Sequence, residues 1–285
     1  MALDYARLLT ELRVESQGLS AVLADLSDAD WALPTPAAGW SITDQVSHLA
    51  FFDDAASSAI TAPDDFRSAA DELISGGMDF PDRIAERYRD TRPDALRRWF
   101  TDGRAQLLDT FAATDPKARV PWYGPDMSVA SSATARLMET WAHGQDVYDT
   151  LNIEHPPTLA LRSIAHLGVS TFGFTHRNNG LPVPDAPVRV ELTAPDGDVW
   201  TWGPETADDV VTGAATDFVF VVTQRRHRDD TNLRVVGDVA MAWMTIAQAF
   251  AGAPSPGRAR LTGGESGRTD TESGRRDTES VGGQR

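Results

Sequence analysis

Three side chains, from two stretches of the sequence, have the types and the spacing of a metal site. Glu139 and His143 lie four residues apart in RLMETWAHGQDVYD, so a helix would project both from the same face. His48, in SITDQVSHLAFFDD, adds a second imidazole from a different predicted helix. Two His and one Glu leave a coordination position open, as in catalytic rather than structural zinc sites. The sequence therefore predicts a catalytic metal held by His48, Glu139 and His143.

Each part of this pattern also fits an ordinary structural role. A lone His on a helix is more often a core or surface residue than a ligand, and a Glu/His pair at this spacing is often a hydrogen-bonded surface pair. The neighbours Met138, Ala142 and Val147 indicate that Glu139 and His143 face a bundle core. A carboxylate buried there is costly unless it is paired or bound to a metal, which favours the metal site.

The ring N–H groups of metal-bound histidines need acceptors of their own. Asp53, Asp54 and Asp146 lie close enough in sequence to the two His-bearing stretches to serve as acceptors. Solvated acids on helix surfaces fit these three positions equally well.

The composition limits the classes of partner. The chain has 285 residues and a formal net charge of −16. This charge opposes binding to nucleic acid or to an anionic membrane, both of which are bound through clustered Lys and Arg. No apolar run approaches the ~18 residues that span a bilayer, and the N-terminus lacks the features of a secretory signal. We therefore expect a cytoplasmic protein.

The chain contains no cysteine. A thiolate metal site, a disulfide and a sulfur nucleophile from the protein itself are therefore excluded. A metal must be bound by His, Asp, Glu or water, and any thiol chemistry must use a small-molecule thiol.

The first 155 residues have the spacing of a helical bundle. Their apolar residues recur at helical intervals, and Ser or Pro residues mark the helix starts. We predict an antiparallel four-helix bundle over residues 1–155, with sites built from facing side chains. The predicted helices cover residues 3–27, about 42–59 after an N-cap at Ser41, 64–74, 93–113, and a helix to about 151 capped by Ser131 or Ser132.

The pattern changes after residue 155. A helix is predicted over residues 157–175, followed by short β-branched runs and a last helix over 239–251. The four predicted strands are VRVELTAP, DVWTWGP, DFVFVVTQ and NLRVVGD. We predict a small α+β domain with an antiparallel sheet over residues 156–255, so that the whole chain combines α and α/β parts in several domains. Residues 256–285 form a low-complexity tail that we predict to be disordered.

Three stretches resemble a known family. WALPTPAAGWSITDQVSHLAFFDDAA, VPWYGPDMS and ARLMETWAHGQDVYD are similar to the N-terminal domain of the mycothiol-dependent maleylpyruvate isomerase family. That domain is one of the DinB/YfiT-like metal-binding four-helix bundles. The part after the bundle resembles the sterol-carrier-protein-like domain of the same family. The resemblance covers most of residues 3–255.

The resemblance implies the metal and its chemistry. The family's first ligand ends a D-Q-x-x-H-L run, which is His48 here, and its E-x-x-x-H run supplies Glu139 and His143. Zinc is the metal that the family implies, and nickel stays possible because imidazole also suits it. In the family mycothiol binds at the open position, where a divalent cation favours the thiolate. Mycothiol or another low-molecular-weight thiol is thus the expected cofactor, and a small electrophile the expected substrate.

Five further residues are candidates for contact with the substrate. Trp40, Trp122 and Tyr123 are predicted to line the pocket, although Trp is more often a packing residue. Arg225 and Arg226, in TQRRHR at the end of a predicted strand, are candidates for carboxylate binding, although a basic strand end is as often a solvated edge. The segment MAWMTIAQAFAG lacks the Arg that the family carries near its C-terminus. The chain is therefore expected to be a sister branch with a substrate of its own.

Three functions fit these observations. The leading hypothesis is a metal-dependent, thiol-using isomerase or S-transferase. The alternative is a non-enzymatic metal-containing protein that binds a small molecule in its C-terminal domain. Metal-activated hydrolysis comes third, because Glu139 would be a ligand and no separate Glu stands as a general base. The substrate, the thiol and the oligomeric state stay open.

Overall fold

The computed structural model describes residues 4–261. Its N-terminal part is helical, with one short pair of strands before the last long helix. The elements are α1 (Tyr5–Ala24), α2 (Ile42–Thr61), α3 (Pro63–Ser75), α4 (Phe80–Tyr88), α5 (Pro93–Ala112), β1 (Arg119–Val120), β2 (Met127–Ser128) and α6 (Val129–Leu151).

The four long helices α1, α2, α5 and α6 pack against one another. Helix α2 contacts both α5 and α6, and α1 contacts the same two helices from the other side. Helices α3 and α4 pack on α2 and cover its outer face. Helix α4 was not predicted from the sequence. The antiparallel direction of the four long helices stays a prediction.

Two helix starts position the elements that carry the candidate ligands. Helix α2 begins after Ser41, whose side chain accepts a hydrogen bond from the Asp44 amide while Asp44 accepts one from Ser41, which is a capping box. Helix α6 begins earlier than predicted, because Ser128 rather than Ser131 or Ser132 is its cap. The β1–β2 pair brings Ser128 to the helix start, and its side chain accepts from the Ser131 amide at 3.0 Å.

A buried charge cluster joins the long helices. Asp53 on α2, fully buried, accepts hydrogen bonds from Arg104 on α5 at 2.7 and 2.9 Å and from Arg136 on α6 at 3.0 Å. Arg104 also donates to Ser16 on α1 and to Thr140 on α6. One carboxylate thus connects three helices and neutralises charge that would otherwise be buried without a partner.

The C-terminal part has a four-stranded sheet with helices against it. The strand order is β4-β3-β5-β6. The elements are α7 (Leu161–Ser170), α8 (Phe172–Asn178), β3 (Val188–Thr193), β4 (Val199–Trp202), β5 (Asp209–Ala214), α9 (Ala215–Val222), β6 (Arg234–Val236) and α10 (Asp238–Ile246). The single helix predicted over 157–175 is two helices, divided at Thr171.

Two predictions for this sheet are wrong. The run DFVFVVTQ is the helix α9 rather than a strand, because Phe218, Val219 and Val222 are fully buried between the sheet and α7. A short continuous apolar run does not separate a buried helix from a buried strand. The missed strand is β5, which pairs in parallel with β3, so the sheet is mixed and not antiparallel.

The start of the predicted tail lies within the described residues. Residues 256–261 are described by the structure, and Arg258 forms ion pairs with Asp146 and Asp149 on α6. The rest of the predicted tail, 262–285, lies outside the described residues. Within residues 4–261, no helix is both long and apolar enough to cross a membrane.

Replacing Asp53 with Asn should strongly destabilise the fold. The substitution leaves the buried guanidinium groups of Arg104 and Arg136 without a compensating charge, which we expect to lower the free energy of unfolding by about 3 to 5 kcal/mol. Urea denaturation of the wild type and the variant measures this. Asp64→Asn, at a fully exposed side chain, is the control and should change it by less than about 0.5 kcal/mol. Equal stability of the two variants would contradict the structural role of Asp53.

Candidate metal centre

Helices α2 and α6 bring the three predicted ligands together. The Glu139 Oε2 atom lies 3.0 Å from His143 Nε2 and 3.4 Å from His48 Nε2. One ligand atom from each residue lies within 4.8 Å of the other two. Ligands about 2.1 Å from a tetrahedral zinc ion lie about 3.4 Å apart. The spacing of these side chains therefore fits a single divalent cation.

The site is partly open to solvent. The His48 and His143 side chains are 10% and 12% exposed, whereas the Glu139 side chain is 23% exposed. A small molecule can therefore approach the carboxylate side of the cluster from solvent. Three protein ligands leave a coordination position for such a molecule.

A chain of hydrogen bonds orients His143. The Thr35 hydroxyl donates to the Trp40 carbonyl at 2.9 Å, so its oxygen is left to accept from Gln45 Nε2 at 2.8 Å. The Gln45 amide is thereby turned with Oε1 towards His143 Nδ1, which donates to it. The network assigns the proton of His143 to Nδ1 and leaves the Nε2 lone pair directed at Glu139.

That arrangement calls for a positive charge between the side chains. A neutral imidazole lone pair on His143 Nε2 and a carboxylate oxygen of Glu139, 3.0 Å apart, repel each other unless a proton or a cation lies between them. The His48 ring lies beside the same carboxylate. The Nδ1 atom of His48 is buried and has no hydrogen-bond partner among residues 4–261. A divalent cation held by His48, Glu139 and His143 would remove this repulsion.

The electrostatics keep the ligands in their metal-binding forms. Burial lowers the pKa of His48 to about 4, so this ring is neutral at pH 7. Burial acts to raise the pKa of Glu139, but when a proton rather than a cation lies between the carboxylate and the rings, hydrogen bonds from His143 and His48 outweigh burial and hold the pKa well below its usual range. An ionised carboxylate and a neutral imidazole are the forms that bind metal.

Aromatic rings cover the imidazoles. The Trp40 ring stacks on His143 with 5.7 Å between centroids and 18° between planes, and Phe52 lies 4.5 Å from the His48 ring. Trp40 Nε1 donates to Asp82 on α4 at 2.8 Å, so the unpredicted helix holds this ring in place. The structure therefore places Trp40 at the cluster.

Trp122 and Tyr123 lie one ring further out. Their centroids are 6.2 and 5.5 Å from the Phe52 ring, and they pack against Phe66 of α3. Burial raises the pKa of Tyr123 to about 12, so its phenol stays protonated at pH 7. These two residues extend the aromatic surface without touching the candidate ligands.

Arg225 and Arg226 are not at a strand end and are already paired. They follow helix α9, and Arg225 forms an ion pair with the buried Asp146 at 3.2 Å and donates to the Ala142 carbonyl. Arg226 forms two hydrogen bonds with Asp149 at 2.6 and 2.7 Å. Both guanidinium groups attach the C-terminal part to α6. Their predicted contact with substrate stays a prediction.

The acids considered as partners of the ligand rings have other roles. Asp53 binds Arg104 and Arg136, Asp54 accepts from Trp99, and Asp146 pairs with Arg225. The acceptor for His143 is Gln45, which sequence analysis missed. It lies three residues before His48 on the same helix, and the D-Q-x-x-H spacing was the available signal.

Comparison with known proteins identifies the family of this chain. A family model described as the mycothiol maleylpyruvate isomerase N-terminal domain matches residues 12–148, a range that contains all three candidate ligands. A second family model, described as wyosine base formation, matches residues 184–235. The chain belongs to the mycothiol-dependent maleylpyruvate isomerase family, which confirms the resemblance found in the sequence.

The relatives extend over nearly the whole chain. Two uncharacterised proteins, from two strains of Mycobacterium tuberculosis, are each 44% identical to it over 255 residues, which is 90% of this chain and 99% of theirs. A solved mycothiol-dependent maleylpyruvate isomerase is 16% identical, with a TM-score of 0.56 over 82% of this chain and 93% of its own. A variant of that isomerase with one His replaced by Ala is also 16% identical, with a TM-score of 0.57 over 81% of this chain and 93% of its own. At this identity the solved structures show the fold alone.

Replacing Gln45 with Leu should weaken metal binding without removing a ligand. The variant loses the acceptor for the Nδ1–H group of His143, so the ring is free to turn, and we expect the zinc Kd to rise by about 10- to 100-fold. Competition with a chromophoric chelator measures this Kd. Gln106→Leu, at an exposed position of α5, is the matched control. An unchanged Kd in the Gln45 variant would rule out the orienting role.

The stability of the metal-free protein should depend on pH through His48. The native pKa of about 4 lies below the ordinary value of 6.5, so between these pH values the unfolded chain binds a proton that the native protein does not. The free energy of unfolding should therefore fall as the pH decreases from 6.5 to 4, by at most about 3 kcal/mol from this residue. Urea denaturation across this range should show a shallower slope for His48→Asn. Equal slopes would contradict the lowered pKa.

Proposed function

We propose that this protein is a metal-dependent enzyme that activates a small-molecule thiol, such as mycothiol, for isomerisation of a small electrophile or for transfer to it. The observation that carries the proposal is the convergence of His48, Glu139 and His143 on one point, with His143 oriented by Gln45. Zinc suits two imidazoles and a carboxylate, and nickel remains an alternative. A divalent cation bound there would stabilise the thiolate form of a thiol and so make its sulfur nucleophilic at neutral pH.

The protein's own residues have separable roles in this proposal. His48, Glu139 and His143 hold the cation and leave one position open. Gln45 fixes the ring of His143, and Trp40 shields the two imidazoles from water on one side. The bundle, residues 1–155, would carry the chemistry. The α+β domain, residues 156–255, would support the site by packing against α6, the helix of Glu139 and His143. A cytoplasmic location stays a prediction.

The alternative function is a metal-containing protein that binds an apolar molecule in its C-terminal domain without catalysis. Phe218, Val219 and Trp243 pack in the core of that domain and are buried almost completely. A cavity of about 150 Å³ lies there as well, but charged side chains such as Arg226, Asp229 and Arg258 line it, so it suits an apolar molecule poorly. This lining favours the enzyme. The wyosine description suggests no function here, since its match lies outside the candidate ligands and the net charge of −16 opposes an RNA partner.

Elemental analysis of the purified protein tests the metal site. We expect about one zinc or nickel ion per chain in the wild type and almost none in His48→Ala/His143→Ala, with helical content unchanged by circular dichroism. His166→Ala/His227→Ala removes two histidines elsewhere and should keep the metal. Full metal retention in the first double variant would refute the ligand assignment.

Titration of mycothiol in the presence of the protein tests the thiol chemistry. Thiolate absorbance in the ultraviolet should appear at lower pH with the metal-loaded protein than with the metal-free protein, because a bound cation favours the thiolate. A shift that is the same with and without metal would contradict thiol activation and would favour the binding protein.

A further inference from the structure

We infer that the electrophile of this protein is uncharged and has a flat apolar part, in contrast to the carboxylates of maleylpyruvate. This inference rests on the proposed function and names the substrate class of the same site. Three observations carry it: the rings beside the candidate ligands, the pairing of the nearby guanidinium groups, and the charge of the chain.

The surface beside the candidate ligands is aromatic. Trp40 stacks on His143, and the ring centroids of Trp40 and His48 lie 5.3 Å apart. Phe52 also packs on the His48 ring. Trp122 and Tyr123 continue this surface beyond Phe52. Phe52 is buried, whereas Trp40, Trp122 and Tyr123 are half-buried, so these three are the rings that an approaching molecule can contact. Such surfaces bind flat unsaturated groups through stacking and edge contacts.

Two buried guanidinium groups of the bundle, those of Arg104 and Arg136, are already paired with Asp53. Arg136 lies one helical turn before Glu139, and it donates to Asp53 at 3.0 Å and to the Leu49 carbonyl at 3.3 Å. Arg104 is held by the same Asp53 carboxylate. A substrate carboxylate would have to replace this fully buried acid, which would leave Asp53 as an uncompensated charge.

The guanidinium groups on the C-terminal side are also paired. Arg225 and Arg258 both bind Asp146, which lies three residues after His143 and is fully buried. Arg226 binds both oxygens of Asp149. These arginines therefore neutralise carboxylates of the protein itself. A carboxylate of the substrate would compete with partners that are already fixed in place.

The charge of the whole chain acts in the same direction. A net charge of −16 repels a dianion and lowers its concentration near the surface, whereas it has no such effect on an uncharged molecule. The five arginines discussed above each have a carboxylate partner in the protein, so none of them offsets this repulsion.

An activated double bond in an uncharged ester, amide or ketone fits these surfaces. The sulfur of the thiol forms a bond to one alkene carbon, and the electron pair of the double bond moves towards the activating carbonyl group. In isomerisation, rotation about the resulting single bond precedes the return of that pair and cleavage of the same sulfur–carbon bond. In an addition reaction the sulfur–carbon bond stays, and the proton lost by the thiol is transferred to the neighbouring carbon. Neither route needs a further oxidant or reductant.

Binding of a matched pair of small aromatic molecules tests the ligand class apart from catalysis. Benzamide and benzoate have the same ring and nearly the same shape, and differ in charge at pH 7. Tryptophan fluorescence quenching of the metal-loaded wild type should give a Kd at least about tenfold lower for benzamide. Trp40→Leu should weaken the binding of benzamide, and Trp200→Leu, in the C-terminal sheet, should not. Tighter binding of benzoate would overturn the inference.

Rates with diethyl maleate and maleate test the same contrast in the reaction. The two have the same cis double bond, so each rate with metal-loaded protein and mycothiol is divided by its rate without protein. We expect the acceleration for the diester to exceed that for the dianion by at least about tenfold. Greater acceleration of maleate would overturn the inference. Absence of any acceleration, with benzamide still preferred over benzoate, would refute the proposed enzyme and leave the ligand class standing.

A gain of anion binding is expected when a guanidinium group is released. Asp146→Asn removes the charge that holds Arg225 and Arg258, so the Kd for benzoate should fall by about tenfold. Asp64→Asn changes the net charge equally at an exposed position and should leave this Kd nearly unchanged. Equal effects of the two substitutions would show that net charge alone, rather than the pairing of these arginines, excludes the anion.

Discussion

The candidate metal centre depends on the ion pairs of Asp53. This carboxylate lies five residues after His48 on α2, and one of its partners, Arg136, lies three residues before Glu139 on α6. The Asp53–Arg136 ion pair therefore fixes the position of α2 along α6. It thereby also fixes the position of His48 relative to Glu139. Arg104 ties α5 to the same carboxylate and, through Ser16, reaches α1. The charge cluster and the ligand cluster are neighbouring layers of one bundle.

Local sequence signals predicted the parts of this site that depend on neighbours in the chain. The Ser41–Asp44 capping box and the periodic apolar residues gave α2 almost to its end, and the i, i+4 spacing put Glu139 and His143 on one face. The family resemblance then connected His48 to that pair. These signals act within one helical turn or within a motif that the family shares, so a single sequence carries them.

The rest depends on contacts between distant residues. Gln45 orients His143 from 98 positions away, and the D-Q-x-x-H spacing around Gln45 does not say which distant ring it bonds. The run after residue 215 became a helix because the sheet and α7 bury it on several sides, which overrides the β preference of its Val residues. Arg225 was a candidate for binding a substrate carboxylate, with a solvated strand end as the alternative, and the structure pairs it with Asp146.

The position of Arg258 bears on how this chain can be divided. This residue comes after the last helix, yet its guanidinium group lies against Asp146 and Asp149 of the bundle. The isolated bundle would lack Arg225, Arg226 and Arg258 together, and two carboxylates on the helix of Glu139 and His143 would lose their counter-charges. Expression vectors that end the protein at residue 255 would remove Arg258. The bundle with the candidate metal centre therefore takes these counter-charges from the C-terminal part, and fusion partners belong beyond residue 261.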